Sequence, residues 1–345
     1  MNRTFIAILA ISTAIFIPTL HAGYSTGGSG LQLITSGDLE NAALYINTAA
    51  TWINGTPPAQ PYTNQTSFTL PLADNIALGR LVITYWGGSA ARTNTLNITV
   101  NGTSLFTDNS LTFGSTNDAN PMFTLNQPNV YGSGSGVWLL TIPILPSLIY
   151  TNGTANIVTI AEDPSTFDGR INQVTFIAVY QNAALNNTFH YALAEGSGDI
   201  YNITNPATGR VDTRSVTMPS GDAALVTTAT LHALYTYGDV NQNDRLYFNN
   251  TALGGSGSND IANWNANATG LDYGPNLVSY EVTSLLASNN IVTFSVSSND
   301  VPAPYETSLR PQLAILEFQT IPEPNAGALA LLGCLSTLLF CRKKT

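Results

Sequence analysis

Between Gly23 and Ile321 the sequence contains no lysine and no cysteine. The cations of that stretch are Arg80, Arg92, Arg170, Arg210, Arg214, Arg245 and Arg310, and the whole chain carries 21 acidic side chains against 11 basic ones, a net charge of -10. A body so poor in positive charge repels phosphate backbones, which excludes nucleic acid as a partner. Both cysteines, Cys334 and Cys341, lie in the last segment. Disulfides therefore cannot hold the body together, and it must be large enough to rest on hydrophobic burial. A body of about 300 residues is large enough, divided over two domains.

Histidine is nearly as scarce. Beyond the first 22 residues only His190 and His232 remain, too few for a zinc site built on imidazoles. A Ser-His-Asp triad would need one of them as base, and no G-x-S-x-G elbow accompanies them. The carboxylates Glu162, Asp163 and Asp168, with Asp300 and Glu306 in the equivalent stretch of the second half, are expected in solvated loops, where such charges are ordinary. A glycoside hydrolase built on a pair of them is the least favoured reading. The chain is expected not to be an enzyme and to need no cofactor.

Asn, Thr, Ser, Gly and Tyr take the place of the missing charges. They are poor helix formers and suit pleated strands joined by tight turns, so the class is all-β. Landmarks recur in the same order in two halves: SFTLP (67–71) and SVTMP (215–219), RLVITYWGG and LHALYTYGD, VNGTSL (100–105) and FNNTAL (248–253), YGSGSGVWLLTI and YGPNLVSYEV, NIVT (156–159) and NIVT (290–293), QVTFIAVY and QLAILEFQ. The apolar runs are long enough for a strand and too short for a stable isolated helix. Asn-Gly and Asn-Asn are residues that tolerate positive φ in hairpins. The expected architecture is two tandem antiparallel β-sandwiches of jelly-roll type, with a helix at each terminus. The expected division is 1–22 signal peptide, 23–66 N-terminal extension of the first sandwich, 67–214 first sandwich, 215–320 second sandwich and 321–345 sorting segment. In this alignment His232 falls opposite Leu81.

The stretch YEVTSLLASNNIVTFSVSSND resembles the late strands of galactose-binding-like jelly rolls, where a V-T-x-L-L turn leads through Asn into an apolar strand. The two halves together resemble domain of unknown function 3344, a family of microbial surface proteins with an A-x-L-Y-x-x-Y-x-x-G strand. Ala233, Leu234, Tyr235, Tyr237 and Gly238 fit that pattern loosely, and the first half has Trp86 at the last aromatic. The resemblance implies a fold and brings no activity with it.

The two ends carry addresses. MNRTFIAILAISTAIFIPTLHA has the layout of a signal peptide, one cation, an apolar core and a small residue, with cleavage expected between Ala22 and Gly23. At the other end Pro322, Glu323 and Pro324 precede an apolar run (326–340) and the basic residues Arg342, Lys343 and Lys344. As a helix that run would span about 22 Å, short against the roughly 30 Å of bilayer hydrocarbon. This order resembles the PEP-CTERM sorting signal of bacterial surface and biofilm proteins. The resemblance implies export to the cell surface or extracellular matrix, a temporary anchor whose basic end stays cytoplasmic, and an exosortase-type transpeptidase as partner. A plain membrane tether is the alternative.

Two further stretches invite a ligand. Asp239, Asn241 and Asn243 alternate as in a calcium loop, but Asp244 and Asn250 replace the Gly and the bidentate Glu of that pattern. A hairpin turn is the favoured reading, with structural calcium the alternative. Trp264, flanked by Asn263 and Asn265, is the tryptophan best suited to present a face to a sugar ring. The leading functional expectation is a structural or adhesive surface protein. Carbohydrate binding, to extracellular polysaccharide, comes second.

Overall fold

The computed structural model describes residues 28–50, 62–86, 92–113, 129–132, 137–163, 170–198, 200–201, 213–219, 225–236, 244–253, 276–296 and 308–320. Among them the chain is β-structure throughout, interrupted only by turns and by 3-10 turns such as Pro146–Leu148 and Thr283–Leu285. The signal segment 1–22 and the sorting segment 321–345, with the helices expected in them, lie outside the described residues.

The first strands are β1 (Gly28–Glu40), β2 (Ala42–Ala50), β3 (Tyr62–Thr69), β4 (Asn75–Trp86), β5 (Arg92–Val100), β6 (Thr103–Phe113), β7 (Asn129–Gly132), β8 (Val137–Pro143), β9 (Ala155–Asp163) and β10 (Arg170–Gln181). They are followed by β11 (Thr188–Gly198), β12 (Ile200–Tyr201), β13 (Thr213–Pro219), β14 (Val226–Thr236), β15 (Arg245–Phe248), β16 (Thr251–Leu253), β17 (Asn276–Glu281), β18 (Asn289–Ser295) and β19 (Ser308–Thr320). Four antiparallel sheets result. Two belong to one sandwich, ordered β3-β9-β5-β6 and β2-β10-β4-β8-β7; two belong to the other, ordered β1-β11-β19-β14-β17 and β13-β18-β15-β16.

Alternation along each strand fills the layers. On β10, Val174, Phe176, Ala178 and Tyr180 face the core of the first sandwich, where they meet Phe68, Ile98 and Ile160 of the opposite sheet. The residue between, Ile177, points the other way and joins Val82, Tyr131 and Leu139 against Leu193, Leu234, Leu313 and Ile315 of the second sandwich. The two inner sheets are therefore apolar on both faces, which is why their strands read as almost unbroken hydrophobic runs. A third core, with Leu231, Tyr235, Leu316 and Phe318 facing Val216, Phe248, Val292 and Phe294, fills the second sandwich.

Sheet membership changes twice at one place. β1 pairs with β11 although β2, directly after it, pairs with β10. The first described strand thus completes the sheet of the second sandwich, and β11 lies between it and β19 rather than beside β10. Asn41, at φ 55, turns β1 into β2. Its amide donates to the Asn187 carbonyl (2.7 Å) and its carbonyl accepts from the Asn182 amide (2.7 Å), so the two crossings brace one another. β1 also lies close on β11: a Cβ added at Gly196 would stand 2.5 Å from the Gly30 carbonyl oxygen.

The pairing corrects one sequence alignment. Leu81 packs in the first sandwich core, whereas His232 lies on the opposite face of its strand, beside Leu234. The core residue at that level is Leu231, and Tyr85 corresponds to Tyr235, both fully buried. A slip of one residue reverses every side chain in a strand, and facing, not letter matching, fixes the equivalence.

Candidate functional site

The repeated asparagines are the first polar feature that the fold explains. Asn101 and Gly102 form a two-residue hairpin with both φ positive, 52° and 77°, as do Asn249 and Asn250 at 50° and 66°. Both are the turn geometry that matches strand twist. The Asn101 side chain accepts from the Ile157 amide (2.8 Å) and donates to the Leu148 carbonyl (2.7 Å) and to Asn156 Oδ1 (2.9 Å). Asn249 does the same with the Ile291 amide (2.8 Å), the Leu285 carbonyl (2.8 Å) and Asn290 Oδ1 (2.8 Å). Asn156 and Asn290, the first letters of the two NIVT words, are fully buried. Each accepts a further backbone N–H, from Tyr150 (2.7 Å) and Ala287 (2.9 Å). Replacing either by alanine should cost about 1–3 kcal/mol, since backbone groups that it satisfies would be left buried and unpaired. Denaturant unfolding of Asn156→Ala and Asn290→Ala checks this.

A second feature, which nothing in the sequence singles out, lies between the sandwiches. Arg80 of β4 pairs with Glu195 of β11, with side-chain exposures of 4% and 0%. Its Nη2 donates to Glu195 Oε2 (2.6 Å) and to Thr141 Oγ1 (2.9 Å). Thr141 donates in turn to Glu195 Oε2 (2.9 Å), and the Tyr131 hydroxyl approaches the same oxygen at 3.4 Å. Burial works to lower the pKa of Arg80, but the facing Glu195 carboxylate outweighs it and holds the guanidinium above its ordinary value. Nearby, β19 has one extra residue between the Leu234–Leu313 and Tyr235–Pro311 pairs. That bulge aims Gln312 across the interface, where its Oε1 accepts from Thr84 (2.8 Å). The cluster is buried between the two inner sheets, so its chemistry is to fix how one sheet sits on the other.

Each of the two described histidines stands between a carboxylate and a hydroxyl. His190 Nδ1 lies 2.5 Å from Asp38 Oδ1 and Nε2 lies 3.2 Å from Thr320 Oγ1, while its ring stacks on Phe318 at 4.5 Å. His232 has Ser279 Oγ 2.7 Å from Nδ1 and Glu317 Oε1 3.1 Å from Nε2. The connectivity is that of a nucleophilic relay, but in both cases the partners sit on adjoining strands of one sheet, in direct or near-direct cross-strand positions, and Asp38 is 77% exposed. They are cross-strand polar ladders of the kind that stabilise sheets. Burial first, and the Glu317 charge second, push the Tyr180 phenol above its usual value.

The sequence-predicted ligand residues are not among these. Asp239, Asn241 and Asn243 belong to the segment joining β14 to β15, and Asn263, Trp264 and Asn265 to that joining β16 to β17; all lie outside the described residues. So do Ala22, Gly23, Pro322, Glu323, Pro324, Arg342, Lys343 and Lys344. Among the described residues there is no group of three or more His, Cys, Asp or Glu placed to hold a metal ion. Glu162 and Asp163, expected in a solvated loop, are instead the last residues of β9, with Glu162 buried because its strand pairs with both β3 and β5; Asp168, Asp300 and Glu306 fall outside the described residues.

A family model described as "Protein of unknown function (DUF3344)" matches residues 24–319. The chain belongs to the DUF3344 family. The matched region takes in all four sheets of this DUF3344 protein, so the family is defined by the whole double body rather than by one sandwich. None of the curated proteins is similar to it at a significant level. Among solved structures it is similar to a peptide-N(4)-(N-acetyl-β-D-glucosaminyl) asparagine amidase at 10% identity, over 81% of this chain and 97% of that one, with a TM-score of 0.28. It is similar to the ANX2 ectodomain from Arabidopsis thaliana at 12% identity, over 81% and 91%, with a TM-score of 0.24. It is also similar to BuGH86, crystallised with neoagarooctaose, at 8% identity, over 84% and 33%, with a TM-score of 0.25. Likenesses this distant say nothing about the activity of the DUF3344 chain.

Proposed function

We propose that this is an exported structural or adhesive protein of the cell surface or extracellular matrix, made of two tandem jelly rolls and delivered by a processed PEP-CTERM signal. The repeated strand orders β2-β10-β4-β8 with β3-β9-β5-β6 and β11-β19-β14-β17 with β13-β18-β15-β16 support the jelly-roll reading, each being an eight-strand set of Greek-key order to which the inner sheet adds edge strands. The observation that carries the functional reading is the three-part C-terminal segment: Pro322-Glu323-Pro324, the apolar run 326–340 and Arg342-Lys343-Lys344. An exported body without disulfides needs another source of rigidity, and the buried asparagine braces and the Arg80–Glu195 pair supply one. No catalysis and no cofactor are assigned to it.

Removal of the signal peptide after Ala22 and of the tail beyond the Pro-Glu-Pro motif is the expected processing. Mass spectrometry of protein recovered from the surface of its host should find an N-terminus at Gly23 and a C-terminus near Glu323. A mass that still includes Cys341 and the two lysines would replace the sorting signal by a permanent tether.

A further inference from the structure

We infer that, before the tail is cut, one particular end of the double sandwich rests on the outer surface of the lipid bilayer. The inference depends on the reading of residues 326–340 as a membrane anchor and adds which face of the body the anchor presents.

The direction of β19 decides the geometry. Its last residue, Thr320, pairs with Thr188 at the start of β11 and with Val226 at the start of β14. The chain therefore leaves the body at the end where the β3–β4, β8–β9, β10–β11 and β13–β14 connections lie. Hydrogen bonds knit the first three of these connections together: Asn182 Nδ2 donates to the Leu72 carbonyl (2.8 Å), the Ala73 amide to the Thr151 carbonyl (2.9 Å) and the Asp74 amide to the Gln181 carbonyl (2.8 Å). Only residues 321–325 separate Thr320 from the apolar run. Fully extended they reach at most about 20 Å. β19 has 13 residues and is roughly 40 Å long at about 3.3 Å per residue. A tether that short holds this end near the bilayer and keeps the opposite end away from it.

The same end carries exposed apolar side chains. Leu72 and Leu145 are each 64% exposed, and Tyr150, Leu185 and Leu225 are also exposed on the connections just named. Leucine and tyrosine at loop tips suit the boundary between headgroups and acyl chains, where an apolar body and a polar tip are both accommodated. Glu40 and Asp74, exposed at this end, bring no attraction to anionic lipid, so the contact is shallow and made with zwitterionic headgroups. The occupant is thus the bilayer into which the chain itself is anchored.

The test uses the full chain with Cys334→Ser and Cys341→Ser, labelled with an environment-sensitive fluorophore at Leu72→Cys, Leu185→Cys or, as the far-end control, Thr63→Cys near the start of β3. Each is reconstituted into phosphatidylcholine vesicles with and without doxyl-labelled lipid. Labels at 72 and 185 should lose about half or more of their emission to the quencher, and the label at 63 almost none, because interfacial contact reaches roughly 5–10 Å deep. Vesicle-bound protein whose labels at 72 and 185 escape quenching overturns the orientation and leaves the anchor intact. A blue shift without quenching, together with a doubled mass in detergent, assigns the tips to a second copy and overturns it as well. Failure of the full chain to float with the vesicles removes the anchor reading and this inference with it.

Discussion

Replacing Glu195 by glutamine should lower the unfolding free energy by about 3–5 kcal/mol, because it leaves a guanidinium buried opposite a neutral side chain. Arginine cannot escape by losing its proton. Arg80 is 4% exposed, and its Nη2 already serves both Glu195 and Thr141. Thr141 would lose its charged acceptor at the same time. The companion experiment is the double replacement Arg80→Met with Glu195→Leu, expected to match the parent or exceed it by about 1–4 kcal/mol, since apolar groups of similar volume remove both desolvation costs together. Urea unfolding of the parent, Arg80→Met, Glu195→Leu and the double variant closes the cycle, with Glu195→Gln measured beside them. A Glu195→Gln variant that unfolds at the parent's midpoint would mean that water reaches Arg80 and that the sheets do not seal the pair.

Phe176→Ala should cost about 3–5 kcal/mol, the range for emptying an aromatic site in a packed core. Phe176 is fully buried and ties the two sheets of the first sandwich to one another: its ring lies 5.3 Å from that of Phe68 on β3 and 6.3 Å, edge-on, from Tyr45 on β2. Its neighbour Ile177 faces the other sandwich. Ile177→Ala, at about 2–5 kcal/mol, removes the same kind of contact from the layer between the sandwiches. With that layer closed by Val82, Leu139, Leu193, Leu313 and Ile315 and by the ion pair, and with β1 reaching from the first half into the second, both variants should shift one shared transition. Two separate transitions in calorimetry of the Phe176→Ala chain would show instead that the sandwiches unfold independently.

Much of this was legible beforehand. VNGTSL and FNNTAL are hairpins because only residues that accept positive φ can occupy both turn positions, and Asn-Gly and Asn-Asn do. RLVITYW and QVTFIAVY are strands because β-branched and aromatic side chains pack on a pleated surface. Trp138, within the apolar run VWLLTI, is 3% exposed and packs in the core of the first sandwich. The twofold NIVT was visible as a word, and its purpose was not: the role of Asn156 and Asn290 depends on a hairpin 55 residues away in one half and 41 in the other.

The sequence by itself determined the all-β class and the hairpins and displayed the recurrence of landmarks in two halves, because each of these is decided by neighbours in the chain or by composition. Tertiary structure alone decided which sandwich β1 joins, which face of β14 His232 occupies, and that Arg80 meets Glu195 across 115 residues. The physical reason is that a strand offers two faces and two edges of nearly equal local energy. The choice among them is made by whatever packs against it, and that partner is far along the chain.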